Sequence, residues 1–182
     1  HVHIRDDDAR PTLDLGRLRE TVAALRQETS LVVQLSTGGS VHDPLDQRLA
    51  VLAAAPDSCS LTCGTVNFGD EVFLNPYPFM RQLYERARER EIVPEFELFD
   101  LGHVAALRRL LDELGPPWGG AVHADFVTGI PGGMPGTVAA LVAGVQALPP
   151  EVTSWSATGI GRTHLPVLAG ALALGGHVRV GM

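Results

Sequence analysis

Short apolar runs alternate with longer amphipathic stretches along the whole chain. Residues 2–4 open as a strand and run into the acidic turn Arg5-Asp6-Asp7-Asp8. Over Leu15–Glu28, the apolar residues Leu18, Val22 and Leu25 recur at helical spacing. Residues 31–35, Leu-Val-Val-Gln-Leu, read as a buried strand that ends in Ser36-Thr37-Gly38-Gly39. The pattern then predicts a helix over 43–55, with Pro44 in the first turn where proline is favoured, and a strand over 58–63. A long loop through Asn67 and Gly69 leads to an Arg- and Glu-rich helix over 76–90. Residues 94–99, Pro-Glu-Phe-Glu-Leu-Phe, alternate strictly in their centre, the period of a strand.

The same beat continues. A helix over 101–114 is stopped by Gly115-Pro116-Pro117. A strand over 121–127 gives way to a Gly/Pro loop over 129–136, then a helix over 137–148 and a strand over 152–157. The turn Gly159-Ile160-Gly161-Arg162, a helix over 163–174 and a last strand over 177–182 complete the series. Seven strands with six intervening helices imply a parallel sheet with helical crossovers. The polar, Gly-rich segments follow the strands, where the active sites of (β/α)8 TIM barrels lie. No GxGxxG follows an early strand, so the dinucleotide-binding version lacks its fingerprint. The expectation is one α/β domain over 1–182, a TIM barrel lacking its first strand-helix unit and its final helix, since a barrel needs eight strands and about 250 residues.

Composition narrows the function. The chain has 182 residues, 45% hydrophobic and 19% charged, with a net charge of -7, which is globular and offers no basic stripe for nucleic acid. No apolar run reaches membrane-spanning length. Cys59 and Cys63 read as buried free thiols, which points to a reducing, cytoplasmic setting. All 14 basic residues are Arg. Without Lys, this stretch houses neither a Schiff-base aldolase nor a P-loop.

Several residues stand out as chemistry. In a strand, His1 and His3 face the same side and could grip one metal ion, Zn²⁺ suiting such ligands; a chance His-x-His reads differently. The hydroxyls and backbone N–H groups of Ser36, Thr37, Gly38 and Gly39 could hold a carboxylate or phosphate, or the glycines could only shape a loop. Glu95 and Glu97 share one face of a strand buried on both sides, so each needs a partner. Asp100 and His103 read as site residues or as a helix cap and ion pair, and His123 as a satisfied core histidine. Arg162 and Arg179 are candidate anion clamps, Arg179 the stronger because Val178 and Val180 flank it.

Five stretches taken together resemble a family. His1-Val2-His3-Ile4-Arg5-Asp6, Gln34-Leu35-Ser36-Thr37-Gly38-Gly39, Pro94-Glu95-Phe96-Glu97-Leu98-Phe99-Asp100, Gly159-Ile160-Gly161-Arg162 and Gly176-His177-Val178-Arg179-Val180-Gly181 come in the order seen in the β-keto acid cleavage enzymes. The resemblance implies a homotetrameric TIM barrel with one Zn²⁺ held by His1, His3 and a Glu of the final strand. That motif continues past Gly181 with a hydrophobic residue, here Met182, then Glu and Asp, so the third ligand and the base fall outside this sequence. So does the first strand with its substrate-binding Glu. The family's substrate-binding positions fall on the Ser36, Thr37 and Gly39 stretch and on Ser60 with Thr62. Glu97 and Arg179 match polar active-site positions. The implied reaction joins a β-keto acid with acetyl-CoA to give acetoacetate and a new acyl-CoA. An amidohydrolase-type barrel hydrolase, an inactive metal-binding relative and a fragment without function of its own are the alternatives.

Overall fold

The computed structural model describes residues 2–181. Helix α1 spans Leu15–Glu28 and is capped by Asp14, whose side chain accepts from Arg17 N. Strand β1 (Gln34–Leu35) follows, then α2 (Leu45–Ala50), prolonged by a 3₁₀ turn over Val51–Ala54. Strand β2 (Ser58–Thr62) leads to a hairpin of β3 (Val66–Phe68) and β4 (Glu71–Phe73). Helix α3 (Tyr77–Glu89), β5 (Val93–Leu98), α4 (Leu101–Leu114) and β6 (Val122–Thr128) come next. The series ends with α5 (Val138–Ala147), β7 (Val152–Gly159), a 3₁₀ turn over Gly161–Thr163, α6 (His164–Ala173) and β8 (His177–Val178).

Six strands form one sheet in the order β1-β2-β5-β6-β7-β8, every pair parallel. A doubly wound sheet would reverse its order at a switch point; this one runs straight through, with one helical crossover per step. The sheet also curls. Laid flat, β1 and β8 would stand about 24 Å apart, five spacings of about 4.8 Å. Yet Ser36 beside β1 and Arg179 beside β8 line a single cavity. The architecture is therefore a barrel wall, with six of a barrel's eight strands among the described residues.

The two faces of the wall differ in chemistry because strand residues alternate sides. Cys59, Leu61, Phe96, Leu98, Ala124, Phe126 and Ala157 point outward into the main core, where they meet Met80, Leu83 and Tyr84 of α3, Leu107 and Leu110 of α4, Leu141 of α5 and Val167 of α6. Both cysteines are free and buried. The inward face carries Ser60, Thr62, Glu95, Glu97, His123, Asp125, Ser156 and Thr158 instead.

Three expectations need correction. Residues 2–4 form no strand. The Asp6 side chain accepts from Asp8 N and Arg10 N, and the turn folds Arg5 onto Pro11 in a local antiparallel bridge, leaving Val2 65% exposed. Leu31 and Val32 are exposed, and the second strand starts only at Gln34, where pairing with Ser58 begins. The last strand covers His177–Val178 and not the full 177–182 stretch, although Arg179 N still donates to Ala157 O; Met182 lies outside the described residues. One element was not foreseen: the expected loop over 64–75 holds the β3–β4 hairpin, turned at Gly69 (φ +67°) and Asp70.

Phe96 is fully buried against Tyr84, with ring centroids 6.0 Å apart. Phe96→Ala should lower unfolding free energy by about 3–5 kcal/mol in urea titration. A loss below about 1 kcal/mol would show that this layer is not packed as described.

Candidate active site on the concave face

Lateral register assembles the site. Ser60, Glu95, His123 and Ser154 stand in one row across the sheet, and Thr62, Glu97, Asp125, Ser156 and His177 in the next. Arg179, one residue past β8, reaches back over three strands. Its Nη1 donates to Glu97 Oε1 at 2.8 Å, Asp125 Oδ2 at 3.1 Å and Glu95 Oε1 at 3.3 Å. Three carboxylates thus converge on one guanidinium nitrogen.

The carboxylates are supported unequally. Thr62 Oγ1 donates to Glu97 Oε2 at 2.8 Å. Ser156 Oγ donates to Asp125 Oδ1 at 2.6 Å and Thr158 Oγ1 to Oδ2 at 2.8 Å. Glu95 receives the longest of the Arg179 bonds, and burial, then Asp125 and Glu97, raise its pKa from 4.5 to about 7 against the pull of Arg179 and Gln34. Burial also works against the charge on Arg179, but Glu97, Asp125 and Glu95 outweigh it and hold the guanidinium above its ordinary value.

The hydrogen bonds also fix a tautomer. Ser156 has one proton, and Asp125 takes it, so Ser156 Oγ accepts from His123 Nε2 at 3.2 Å. His123 Nδ1 then accepts from Ser154 Oγ at 2.7 Å. Burial lowers the pKa of His123, which keeps this ring neutral. Its Nε2 stands 3.9 Å from Glu95 Oε2.

The loop after β1 docks onto β2. Thr37 is buried, its N–H donates to Ser60 Oγ at 3.1 Å, and its hydroxyl donates to Ser60 O at 2.7 Å. Ser36 is exposed, and its Oγ accepts from Gly38 N. Gly39 takes φ +60°, and a Cβ there would run into Asp43 Oδ2, so both conformation and space require glycine.

The concave face therefore brings Glu97, Arg179, Ser60 and Thr62 together, with Ser36, Thr37 and Gly39 at its rim. Arg162 is exposed in the 3₁₀ turn apart from this network. Asp100 caps α4 by accepting from Gly102 N, and the buried His103 accepts from Phe99 N. His1 lies outside the described residues, and His3 is exposed. Among the described residues no group of three or more His, Cys, Asp or Glu could hold a metal ion. His3 is the one expected zinc ligand among the described residues. Asp125, Ser156, Thr158 and Arg48 were not anticipated. Asp125 had a signal, its two-residue offset from His123 on the inward face; Arg48, on a short helix, had none.

A curled parallel α/β wall with a buried carboxylate–guanidinium centre on its inner face defines a barrel of the enzyme type, with its polar groups where such barrels act. Comparison with known proteins supplies the family. The sequence profile of the beta-keto acid cleavage enzyme (BKACE) family matches residues 1–182. A 3-keto-5-aminohexanoate cleavage enzyme of Fusobacterium nucleatum subsp. nucleatum is 35% identical over 185 residues, covering 100% of this chain and 65% of that protein. A 3-oxoadipate:acetyl-CoA acetyltransferase of Cupriavidus necator is 33% identical, covering 100% and 64%. The apo structure of ObcA matches with a TM-score of 0.85 at 18% identity, over 100% of this chain and 50% of ObcA. A ternary complex of ObcA with a C4-CoA adduct and oxalate matches with a TM-score of 0.78, also at 18% identity, over 100% of this chain and 52% of that one. At that identity the likeness shows the barrel fold. The chain belongs to the beta-keto acid cleavage enzyme family, and spans 65% and 64% of the two curated relatives above.

Glu95 generates a pH prediction. Because its folded pKa is raised, its stabilising contribution is complete below 4.5 and is lost as pH rises through about 7. Thermal melts of Glu95→Gln should therefore vary less with pH than those of the unaltered protein from about pH 5 to about pH 8, and the variant should be the more stable at the upper end. Parallel melting curves for the two proteins would mean that Glu95 ionises normally.

Proposed function

We propose that the protein cleaves a β-keto acid with acetyl-CoA, giving acetoacetate and a new acyl-CoA. The observation that carries this reading is Arg179. It is held by three carboxylates and lines two cavities, one of about 420 Å³ toward Gly159, Gly161 and His164, the other of about 350 Å³ toward Gln34, Ser36 and Ser60. Two reactants could meet at one fixed guanidinium, which the carboxylates hold through Nη1 alone. Support comes from the family, from relatives named for acetyl-CoA transfer, and from the CoA adduct and oxalate in the ObcA complex.

In the proposed reaction the β-keto acid loses a proton from the carbon between its two carbonyls. That carbon attacks the acetyl carbonyl, and the CoA thiolate leaves. The thiolate then adds to the original keto carbon, and the bond from that carbon to its former neighbour breaks. The carbon released in that cleavage leaves as the enolate of acetoacetate and takes back the proton removed at the start, so the products are acetoacetate and the new acyl-CoA. Ser36 and Gly39 would hold the substrate carboxylate at the rim, with Thr37, Ser60 and Thr62 beneath them as the support of that loop. Arg179 would stabilise oxyanion charge on the reacting carbonyls, a preorganised charge in a site of low dielectric. Glu97, fixed by Thr62, would orient Arg179. The reading carries three further proposals: a Zn²⁺ bound through His1 and His3, a homotetramer and a cytoplasmic location. Among the described residues, no helix is long and apolar enough to cross a membrane.

The test incubates full-length protein with acetyl-CoA and a panel of β-keto acids and follows acetoacetate. Product should form with at least one acid, and Arg179→Met should lower kcat by about 10²–10³-fold. A panel that yields no acetoacetate would sink the activity. Elemental analysis should find about one Zn²⁺ per chain, lost in the His1→Ala, His3→Ala double variant. Metal content indifferent to those changes would remove zinc from the proposal.

A further inference from the structure

Arg48 has no part in the reaction described above, yet it is among the most buried charges described, 2% exposed. It sits on α2, behind the loop after β1. Its Nε donates to Thr37 O at 2.7 Å, its Nη1 to Leu74 O at 2.7 Å, and its Nη2 to Asn75 Oδ1. Its guanidinium carbon lies 4.5 Å from the Phe73 ring centroid and 4.9 Å from that of Phe79. Among the described residues no carboxylate comes within ion-pair distance of it. Asp43 and Glu97 act only from farther away, and burial lowers its pKa to about 10.

A buried cation is ordinarily neutralised by a carboxylate, because an unpaired charge is costly to remove from water. Here two backbone carbonyls, one side-chain amide and two aromatic faces solvate it instead. These neutral acceptors satisfy the fork without a contact ion pair, one hydrogen bond behind Thr37, so the charge is offset only by Asp43 and Glu97 from farther away. Any anion seated on Ser36 and Gly39 would feel that charge through protein, with little water between to screen it.

We propose that Arg48 is a specificity-determining residue: its charge, held behind the loop after β1 with no carboxylate in contact, makes that loop selective for the carboxylate of the substrate over a neutral ester. The inference rests on the reading that this loop receives the substrate carboxylate. Arg48 does not touch the ligand; it acts through Thr37 and through its field.

Asn75 provides the cleanest test. Asn75→Asp keeps Arg48 and its fork and gives up only the long Asn75 Nδ2 bond to Phe73 O, but sets a carboxylate against Nη2 and cancels the charge. This variant should fold at least as well as the unaltered protein. Calorimetric titration of full-length protein with acetoacetate, and separately with methyl acetoacetate, gives a preference for acid over ester. Asn75→Asp should reduce that preference about tenfold, the size expected of one charge acting over about 10 Å at an effective dielectric of about 20. Arg48→Lys, which keeps the charge and loses the fork, should keep the preference even if both ligands bind less tightly. An Asn75→Asp protein with unchanged preference would overturn the proposal, as would equal weakening of acid and ester, because a purely mechanical support would produce either. Turnover measured alongside separates the two ideas. Acetoacetate binding without β-keto acid cleavage would sink the activity and leave Arg48 testable; intact turnover with an indifferent Asn75→Asp would sink only the role of Arg48.

Discussion

Arg179 faces Glu95, Glu97 and Asp125 with a single nitrogen, a meeting that the curl of the whole sheet makes possible. The three carboxylates stand on β5 and β6, while the arginine follows β8, with β7 between. Side chains normal to a flat sheet would point away in parallel. They converge because the sheet curls, and the ion cluster ties the curl together from inside. Each carboxylate buried without a cation would be costly. The cluster is also short of charge, since one guanidinium cannot balance three carboxylates. Glu97 and Asp125 draw on hydroxyls from Thr62, Ser156 and Thr158, whereas Glu95 has the weakest support and is the group pushed toward protonation.

The loops above this cluster are held by a second set of polar bonds. Thr37 reaches down to Ser60, and Arg48 reaches across to Thr37, Leu74 and Asn75, so the loop after β1 and the end of the β3–β4 hairpin share one anchor. Asn75 N in turn donates to Thr65 Oγ1. The hairpin leans the other way on the loop over 129–136: Gly69 N donates to Pro131 O, and a side chain at Gly132 would strike Asn67. The rim is therefore one connected layer of loops, which suits a site that must keep its groups in fixed relation.

Periodicity found the main helices within a residue or two and the central strands almost as closely, because each carries an apolar face that the sheet must cover. It was weakest where tertiary context decides. Leu31 and Val32 are as apolar as any strand residue, but pairing starts only at Gln34. The acidic turn at Asp6 competes with an extended start for the backbone of Ile4 and Arg5, and local bonds win. The β3–β4 hairpin had its signal in Phe68-Gly69-Asp70-Glu71, a two-residue turn between short alternating runs. Glu97 and Arg179 were legible as charges in otherwise apolar strands, and they do meet. That Asp125 joins them depends on lateral register, which no single segment encodes.

The inner face finally explains where the stability of this fold must come from. Barrel interiors are commonly filled by layers of branched apolar side chains. Here the same positions carry Ser60, Thr62, Glu95, Glu97, His123, Asp125, Ser156 and Thr158, whose burial needs partners and contributes little net free energy. Cohesion is left to the outer layer, where Phe96, Leu98, Phe126 and Leu61 are sealed beneath α3 to α6. The strict alternation of the strands is thus a division of labour. One face holds the wall together, and the other is free to be polar and charged.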